Sequence, residues 1–328
     1  MHPSMTRQCP QSFVTAQCLA VFVAACAPVG QHAERVESRG ILYTSQAPGG
    51  TEDLRRLDPA TGASTLLIAG DSSSSRSLAV WSADGRRLAW IQEYSTHDAL
   101  FVADAAGGRA RRVGRELPSA VLFPDWSPDG TSIVVSAGDS ASHPGIFLVN
   151  VATGRSTSLR RDSSSYRCPS WSPSGDRLVV ASYVRARSAL VVLDLQGAVL
   201  DTIMRSDTTY LDCPQWSPRG DAILFTVFHG GGGSGWTRPA FHSNLAIVDL
   251  NSRHVAQLTR DAGVTNYGRW ARDGDWIVFQ SDRHAEPTRD ESGVRTLLQN
   301  LEIWSVRRDG TGPRRLTTNS YYDAHPSW

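Results

Sequence analysis

Tryptophan recurs in this chain at a nearly fixed interval. Trp81, Trp126, Trp171, Trp216 and Trp270 stand 45, 45, 45 and 54 residues apart, and a further 58 residues lead to the final Trp328. Each of the first five sits in the same phrase: VWSADGRRLAW from Val80, DWSPDGTSIVVSA from Asp125, SWSPSGDRLVVAS from Ser170, QWSPRGDAILFTV from Gln215 and RWARDGDWIVFQS from Arg269. Self-similarity at this period means a propeller or a solenoid, because a unit so short cannot bury its own apolar face and must pack against its neighbours.

The unit reads as four short strands. A first strand ends at the tryptophan, and a tight turn of S-P-D-G type reverses the chain. Proline pre-sets one turn angle, and aspartate bonds the local backbone. Gly85, Gly130, Gly175, Gly220 and Gly274 take the position that needs a positive φ. A second strand follows, as in SIVVSA (132–137) or AILFTV (222–227), alternating and β-branched. Third strands read GIFLVNV (145–151), ALVVLDL (189–195) and NLAIVDL (244–250), and fourth strands HVAQLT (254–259) and PRRLTT (313–318). With no helical period anywhere, the fold class is all-β.

Second strands begin at 41, 87, 132, 177, 222 and 276, which predicts six four-stranded blades. ILYTS (41–45) matches a second strand with no Trp-turn before it, while AHPSW (324–328) matches a first strand with no second strand after it. The C-terminal strand should therefore join the N-terminal blade and close the ring, which removes exposed sheet edges.

The pattern resembles the TolB-like (WD40-like) propeller repeat, P-x-W-S-P-D-G…I-A-F-x-S…I-Y-V-x-D…G…L-T, over residues 40–328. Blade six comes nearest that form. The resemblance implies a six-bladed β-propeller with a protein-binding role in the cell envelope. TolB proteins also carry an N-terminal domain that engages membrane partners. Residues 27–39 here read as a linker, so the resemblance implies an envelope role without implying the same one.

Residues 1–26 read as a signal peptide with a lipobox. Arg7 gives a short positive region, and FVTAQCLAVFVAA (13–25) is apolar but too short to span a bilayer. VAAC (23–26) resembles a bacterial lipoprotein signal, which would make Cys26 the lipidated residue; plain secretion, giving a soluble periplasmic or secreted chain, is the alternative. Ala27, where aspartate would imply inner-membrane retention, points to the periplasmic side of the outer membrane. The mature chain is expected to be monomeric and attached to the membrane by its lipid alone. A formal net charge of +1 argues against a nucleic-acid partner.

In this topology the S-P-D-G turns share one face with the turns between strands three and four. The connections between strands two and three, and between blades, share the other. Two of these are long: TVFHGGGGSGWTRPAFHS (226–243) and SDRHAEPTRDESGVRTLLQN (281–300), in adjacent blades. Loops on such a face carry function, so His229, Trp236, Arg238, His242, Arg283, His284 and Arg289 are the candidate contacts for an envelope protein or glycan ligand. His229, His242, His284 and His325 form an alternative divalent-metal set, although none shows a short ligand spacing. That set would suit a metal-dependent polysaccharide lyase or hydrolase. Otherwise no cofactor is expected.

Signatures of other catalysis are missing: the chain contains no G-x-S-x-G, P-loop, H-E-x-x-H or C-x-x-C, and no catalytic residue is assigned. The residue three before each tryptophan is Leu78, Phe123, Cys168, Cys213, Tyr267 and His325 around the ring. Cys168 and Cys213 thus occupy equivalent places on neighbouring inner strands. A disulfide there is geometrically allowed, and two separate buried thiols are the simpler expectation.

Overall fold

Residues 39–47, 50–140, 143–185, 187–229, 242–260, 263–284 and 301–328 are described by the computed structural model. Cys26 and the signal and linker expectations up to residue 38 lie outside the described residues. Among the described residues, six antiparallel sheets of four strands each follow one another along the chain.

Blade one contains β1 (Ile41–Gln46), β2 (Glu52–Leu57) and β3 (Ser64–Ile68), and blade two β4 (Ser74–Trp81), β5 (Arg87–Tyr94), β6 (Asp98–Asp104) and β7 (Arg111–Val113). Blade three is β8 (Ala120–Trp126), β9 (Ser132–Gly138), β10 (Gly145–Asn150) and β11 (Ser156–Arg160). Blade four is β12 (Ser165–Trp171), β13 (Arg177–Val184), β14 (Arg187–Asp194) and β15 (Val199–Ser206). Blade five is β16 (Tyr210–Trp216), β17 (Ala222–His229), β18 (His242–Asp249) and β19 (Val255–Gln257). Blade six is β20 (Thr265–Trp270), β21 (Trp276–Ser281), β22 (Glu302–Arg307) and β23 (Arg314–Arg315). The last strand, β24 (Tyr322–Ser327), pairs with β1 and completes blade one in the order β24-β1-β2-β3, the expected ring closure.

The repeated turn works as its residues dictate. In blade two the Ser82 amide donates to the Arg87 carbonyl (2.9 Å), the Gly85 amide to the Ser82 carbonyl (2.8 Å) and the Ser82 hydroxyl to Asp84 (2.6 Å). The five turn glycines have φ between 65 and 74°, where a Cβ would clash with the backbone. The tryptophans before these turns pack between blades. The Trp81 indole donates to the Gly40 carbonyl and that of Trp270 to the Gln215 carbonyl, while Arg87 stacks on the Trp126 ring at 4.8 Å. Between the blades, second and third strands bury alternating Val, Ile, Leu and Phe in clusters that run from sheet to sheet.

The outer strands are shorter than the sequence suggests. Residues 254–259 and 313–318 read as full strands, yet β19 and β23 stop before Leu258 and Leu316. At each place a Leu-Thr pair replaces the ladder. The Leu258 and Thr259 amides both reach the Leu245 carbonyl, and the Leu245 amide donates instead to the Thr259 hydroxyl (2.9 Å). Leu316, Thr317 and Ile303 repeat this arrangement in blade six. A hydroxyl in place of a backbone carbonyl satisfies the buried amide while bending the edge away from further pairing.

Candidate functional site

Every inner strand breaks register three residues before its tryptophan position. The breaks fall at Ser77/Val80, Leu122/Asp125, Arg167/Ser170, Asp212/Gln215 and Asn266/Arg269, and β24 has its counterpart where it pairs with Leu42 and Thr44. The extra residue of each bulge is Leu78, Phe123, Cys168, Cys213, Tyr267 or His325, and all six have φ between 45 and 54°. Non-glycine residues in that region cost roughly 1–2 kcal/mol each. A glycine would remove the strain but leave a hole, because these side chains fill the propeller axis. In four blades proline follows the bulge residue, where no ladder donor is needed.

The axis is filled from side to side. Phe123 in blade three stacks on Tyr267 in blade six, diametrically opposite, with centroids 6.0 Å apart, and His325 meets the Tyr267 ring edge-on at 5.0 Å. Cys168 and Cys213 are joined in a disulfide between blades four and five, with Cα atoms 4.7 Å apart. The pairing corrects the simpler expectation of two separate thiols. It follows from the bulge, which turns both side chains inward on adjacent strands. Two residues further, towards the S-P-D-G face, Arg269 reaches across to Asp125 (3.6 Å) and donates to Gln215 (2.6 Å). Burial raises the Asp125 carboxyl and lowers the Arg269 guanidinium, each partly opposed by the other's charge.

On the loop-rich side, one residue before the bulge, the lining turns polar. The Arg167 guanidinium lies over the Phe123 ring at 5.1 Å, and Asp212 is its opposite charge. The Asp212 carboxylate accepts from the Cys213 amide (2.7 Å). Asn266 occupies the equivalent place in blade six, and in blade two the Ser77 hydroxyl bonds Glu93. Tyr183, Tyr267 and Tyr322 surround this tier. Burial raises all three phenols, Tyr267 to about 12, so all remain neutral donors. Several buried polar atoms have no partner among the described residues: Arg167 Nε, Ser136 Oγ, Thr226 Oγ1 and Asn266 Oδ1. By register Ser136 opposes Leu122, Thr226 opposes Asp212, and both belong to the same tier. Unfilled hydrogen-bonding capacity at this depth is a place for water or a ligand's polar groups.

Above this tier the two long connections leave blades five and six. His229 and His242 are register partners at the ends of β17 and β18, and their rings stack at 4.7 Å. Burial and the charge of His242 lower the His229 pKa. In blade six the Arg283 guanidinium covers the Phe279 and Trp304 rings at 4.9 and 4.8 Å, with His284 beside Trp304 at 6.3 Å. Burial and the neighbouring Arg315 keep His284 neutral to lower pH. Trp236, Arg238 and Arg289 lie outside the described residues. Of the four histidines considered as metal ligands, the fold brings His229 and His242 together. It leaves His284 in the next blade and His325 within the axial ring. Among the described residues, the gathering of three His, Cys, Asp or Glu donors close enough for one ion is Cys168, Asp212 and Cys213.

Arg167 and Asp212 are not singled out by sequence reasoning, although a signal is there. RCPSW and DCPQW place a charged residue within strands otherwise committed to the core.

Six antiparallel four-stranded blades, closed by the pairing of β24 with β1 and filled on the axis, define a six-bladed β-propeller. Residues 59–235 match the family described as the TolB beta propeller domain, and the chain belongs to that family. It is similar to the "Uncharacterized peptidase YuxL" of Bacillus subtilis, 33% identical over 111 residues that cover 34% of this chain and only 16% of that protein. Among solved structures, TolB from Acinetobacter baumannii superposes with a TM-score of 0.65 at 17% identity, covering 88% of this chain and 66% of that one. A putative TolB from Agrobacterium tumefaciens gives a TM-score of 0.62 at 16% identity, covering 85% and 88% respectively. At these identities the structural likeness establishes the fold alone.

Proposed function

We propose that this propeller is a non-catalytic scaffold that binds an envelope protein or glycan through its loop-rich face. In this reading the chain is exported and held by lipid at Cys26 on the periplasmic side of the outer membrane. The reading rests chiefly on one observation. The two long connections leave adjacent blades at the end that carries, in blade six, the Arg283 guanidinium against Trp304 with His284 beside it and, in blade five, the stacked His229 and His242. Aromatic and arginine side chains of this kind anchor partners, because they bring large contact area and directional donors together.

The test is capture from detergent-solubilised envelopes by the full chain, compared with a variant in which residues 230–241 and 285–300 are replaced by short Gly-Ser linkers. A captured component should bind again when purified and should be lost with the loops. Equal capture by the variant would refute the reading. A second reading is favoured by the His229–His242 pair alone: two adjacent imidazoles are half of a divalent site, as a metal-dependent polysaccharide lyase or hydrolase would use. Metal that survives dialysis and is lost in His229→Ala would support it.

A further inference from the structure

Cys168, Cys213 and Asp212 meet where the inner strands of blades four and five come closest. Cys168 is 2%, Asp212 5% and Cys213 7% exposed. The two sulfurs and a carboxylate oxygen lie within 4.8 Å of one another, and Asp212 Oδ1 is 3.5 Å from Cys168 Sγ. We propose that in the reduced protein these three side chains hold one thiophilic divalent cation, zinc being the natural occupant, so that metal and disulfide are alternative fillings of one point on the axis.

The donor set suits such an ion. Two thiolates and a carboxylate are three ligands of a tetrahedral, borderline-soft site that leaves a fourth position for water. The ligands are already oriented. Both cysteines are fixed by their bulges, and the Cys213 amide donates to the carboxylate oxygen that approaches the sulfurs, the kind of outer contact that aims a ligand and raises its basicity. Charge closes as well. Two thiolates, one carboxylate and a dication sum to −1, and Arg167, whose charge already acts on Asp212, brings the centre to neutrality. His229, His242, His284 and His325 take no part, so the site is separate from the histidine reading.

The chemistry balances without unnamed reagents. Two equivalents of a small thiol reduce the Cys168–Cys213 bond, giving two cysteine thiols and one external disulfide. Two sulfur–metal bonds then form as the two thiols release two protons. A bound metal withholds both sulfurs from oxidation, so the outcome depends on whether the thiols meet metal or oxidant first.

The experiment uses the full chain, reduced and freed of small thiol under anaerobic conditions, then titrated with Co2+ alone. Expected is a thiolate-to-cobalt charge-transfer band with tetrahedral visible absorption, saturating at one ion per chain and displaced by Zn2+. The oxidised chain and Cys168→Ser should show none. Asp212→Asn, which keeps the shape and the amide bond, should weaken binding at least tenfold. His229→Ala/His242→Ala should leave the band unchanged. A reduced chain with two titratable thiols but no charge-transfer band overturns the proposal. So does an Asp212→Asn variant that binds as tightly as wild type. The oxidised-against-reduced comparison needs no substitution, so a variant that fails to fold does not remove the test.

Discussion

His325 makes folding stability depend on pH in a way the structure specifies. Its imidazole sits in the axial ring against Tyr267, and burial, assisted by the positive charge of Arg269, lowers its pKa from 6.5 to about 4. In the unfolded chain the same group takes up a proton near its ordinary value. Between those two values the unfolded state binds the extra proton, so acidification favours unfolding. The stability that His325 contributes is complete above pH 6.5 and is withdrawn as pH falls toward 4. Each tenfold difference in proton affinity between the two states is worth roughly 1.4 kcal/mol, which makes the loss between pH 7 and pH 4.5 about 2 kcal/mol. Glu52, Asp125 and Asp323 have carboxyls raised by burial and act in the opposite sense, so the total pH profile does not isolate the histidine. A difference does. His325→Leu places at the ring the residue that blade two already tolerates there, Leu78 at φ 54°. Urea unfolding of both proteins at pH 7 and pH 4.5 should show the wild type losing about 2 kcal/mol more than the variant, at unchanged m. Parallel losses would mean that the imidazole is hydrated and titrates normally, which would refute the closed axis as described.

The remaining predictions concern single contacts. Thr317→Val removes the hydroxyl that accepts the Ile303 amide; it should cost about 2 kcal/mol in chemical denaturation, the penalty of a buried donor left unsatisfied. Asp125→Ala leaves Arg269 without its cross-axis charge and the Trp171 amide without its acceptor, for a loss of about 3 kcal/mol. By contrast Arg253→Ala, in the half-exposed Arg253–Asp201 pair, should cost less than about 1 kcal/mol. Deleting residues 322–328 strips β1 of its inner partner; the exposed edge should turn a monodisperse protein into an aggregating one in light scattering.

The ring architecture is legible in the sequence because its signals are local. A tryptophan, a turn of fixed chemistry and an alternating strand lie within a dozen or so residues of one another, and repetition multiplies their weight. What faces the axis is harder to read. Strand alternation assigns faces by odd and even positions, and a bulge resets that count midway through every inner strand. Between Ser77 and Val80 no residue announces the extra position, and between Asp212 and Gln215 the one sign is Pro214, so Arg167 and Asp212 pass as ordinary strand residues. The shortened outer strands are missed for a related reason. Leu258-Thr259 and Leu316-Thr317 have strand-like composition, but their threonine hydroxyls take over bonds that composition assigns to the backbone.

The bulge also explains where chemistry can collect in a fold this repetitive. Tryptophans and turn glycines must be nearly the same in each blade that carries them, since each repeats one geometric task, the glycine in five blades. The ring position must only fill space at positive φ, and it is met here by leucine, phenylalanine, cystine, tyrosine and histidine. Its neighbours on the loop side are as varied, with serine, leucine, arginine, aspartate, asparagine and alanine at equivalent places. Symmetry of the backbone therefore delivers five kinds of side chain to six equivalent places on one axis, from strands far apart in sequence. Arg167 and Asp212, 45 residues apart and unremarkable singly, become neighbours of one disulfide only because the repeat places them there. A propeller can thus keep its blades alike for stability and still differentiate its centre. In this chain the unlike neighbours Arg167 and Asp212 stand beside the disulfide that joins blades four and five.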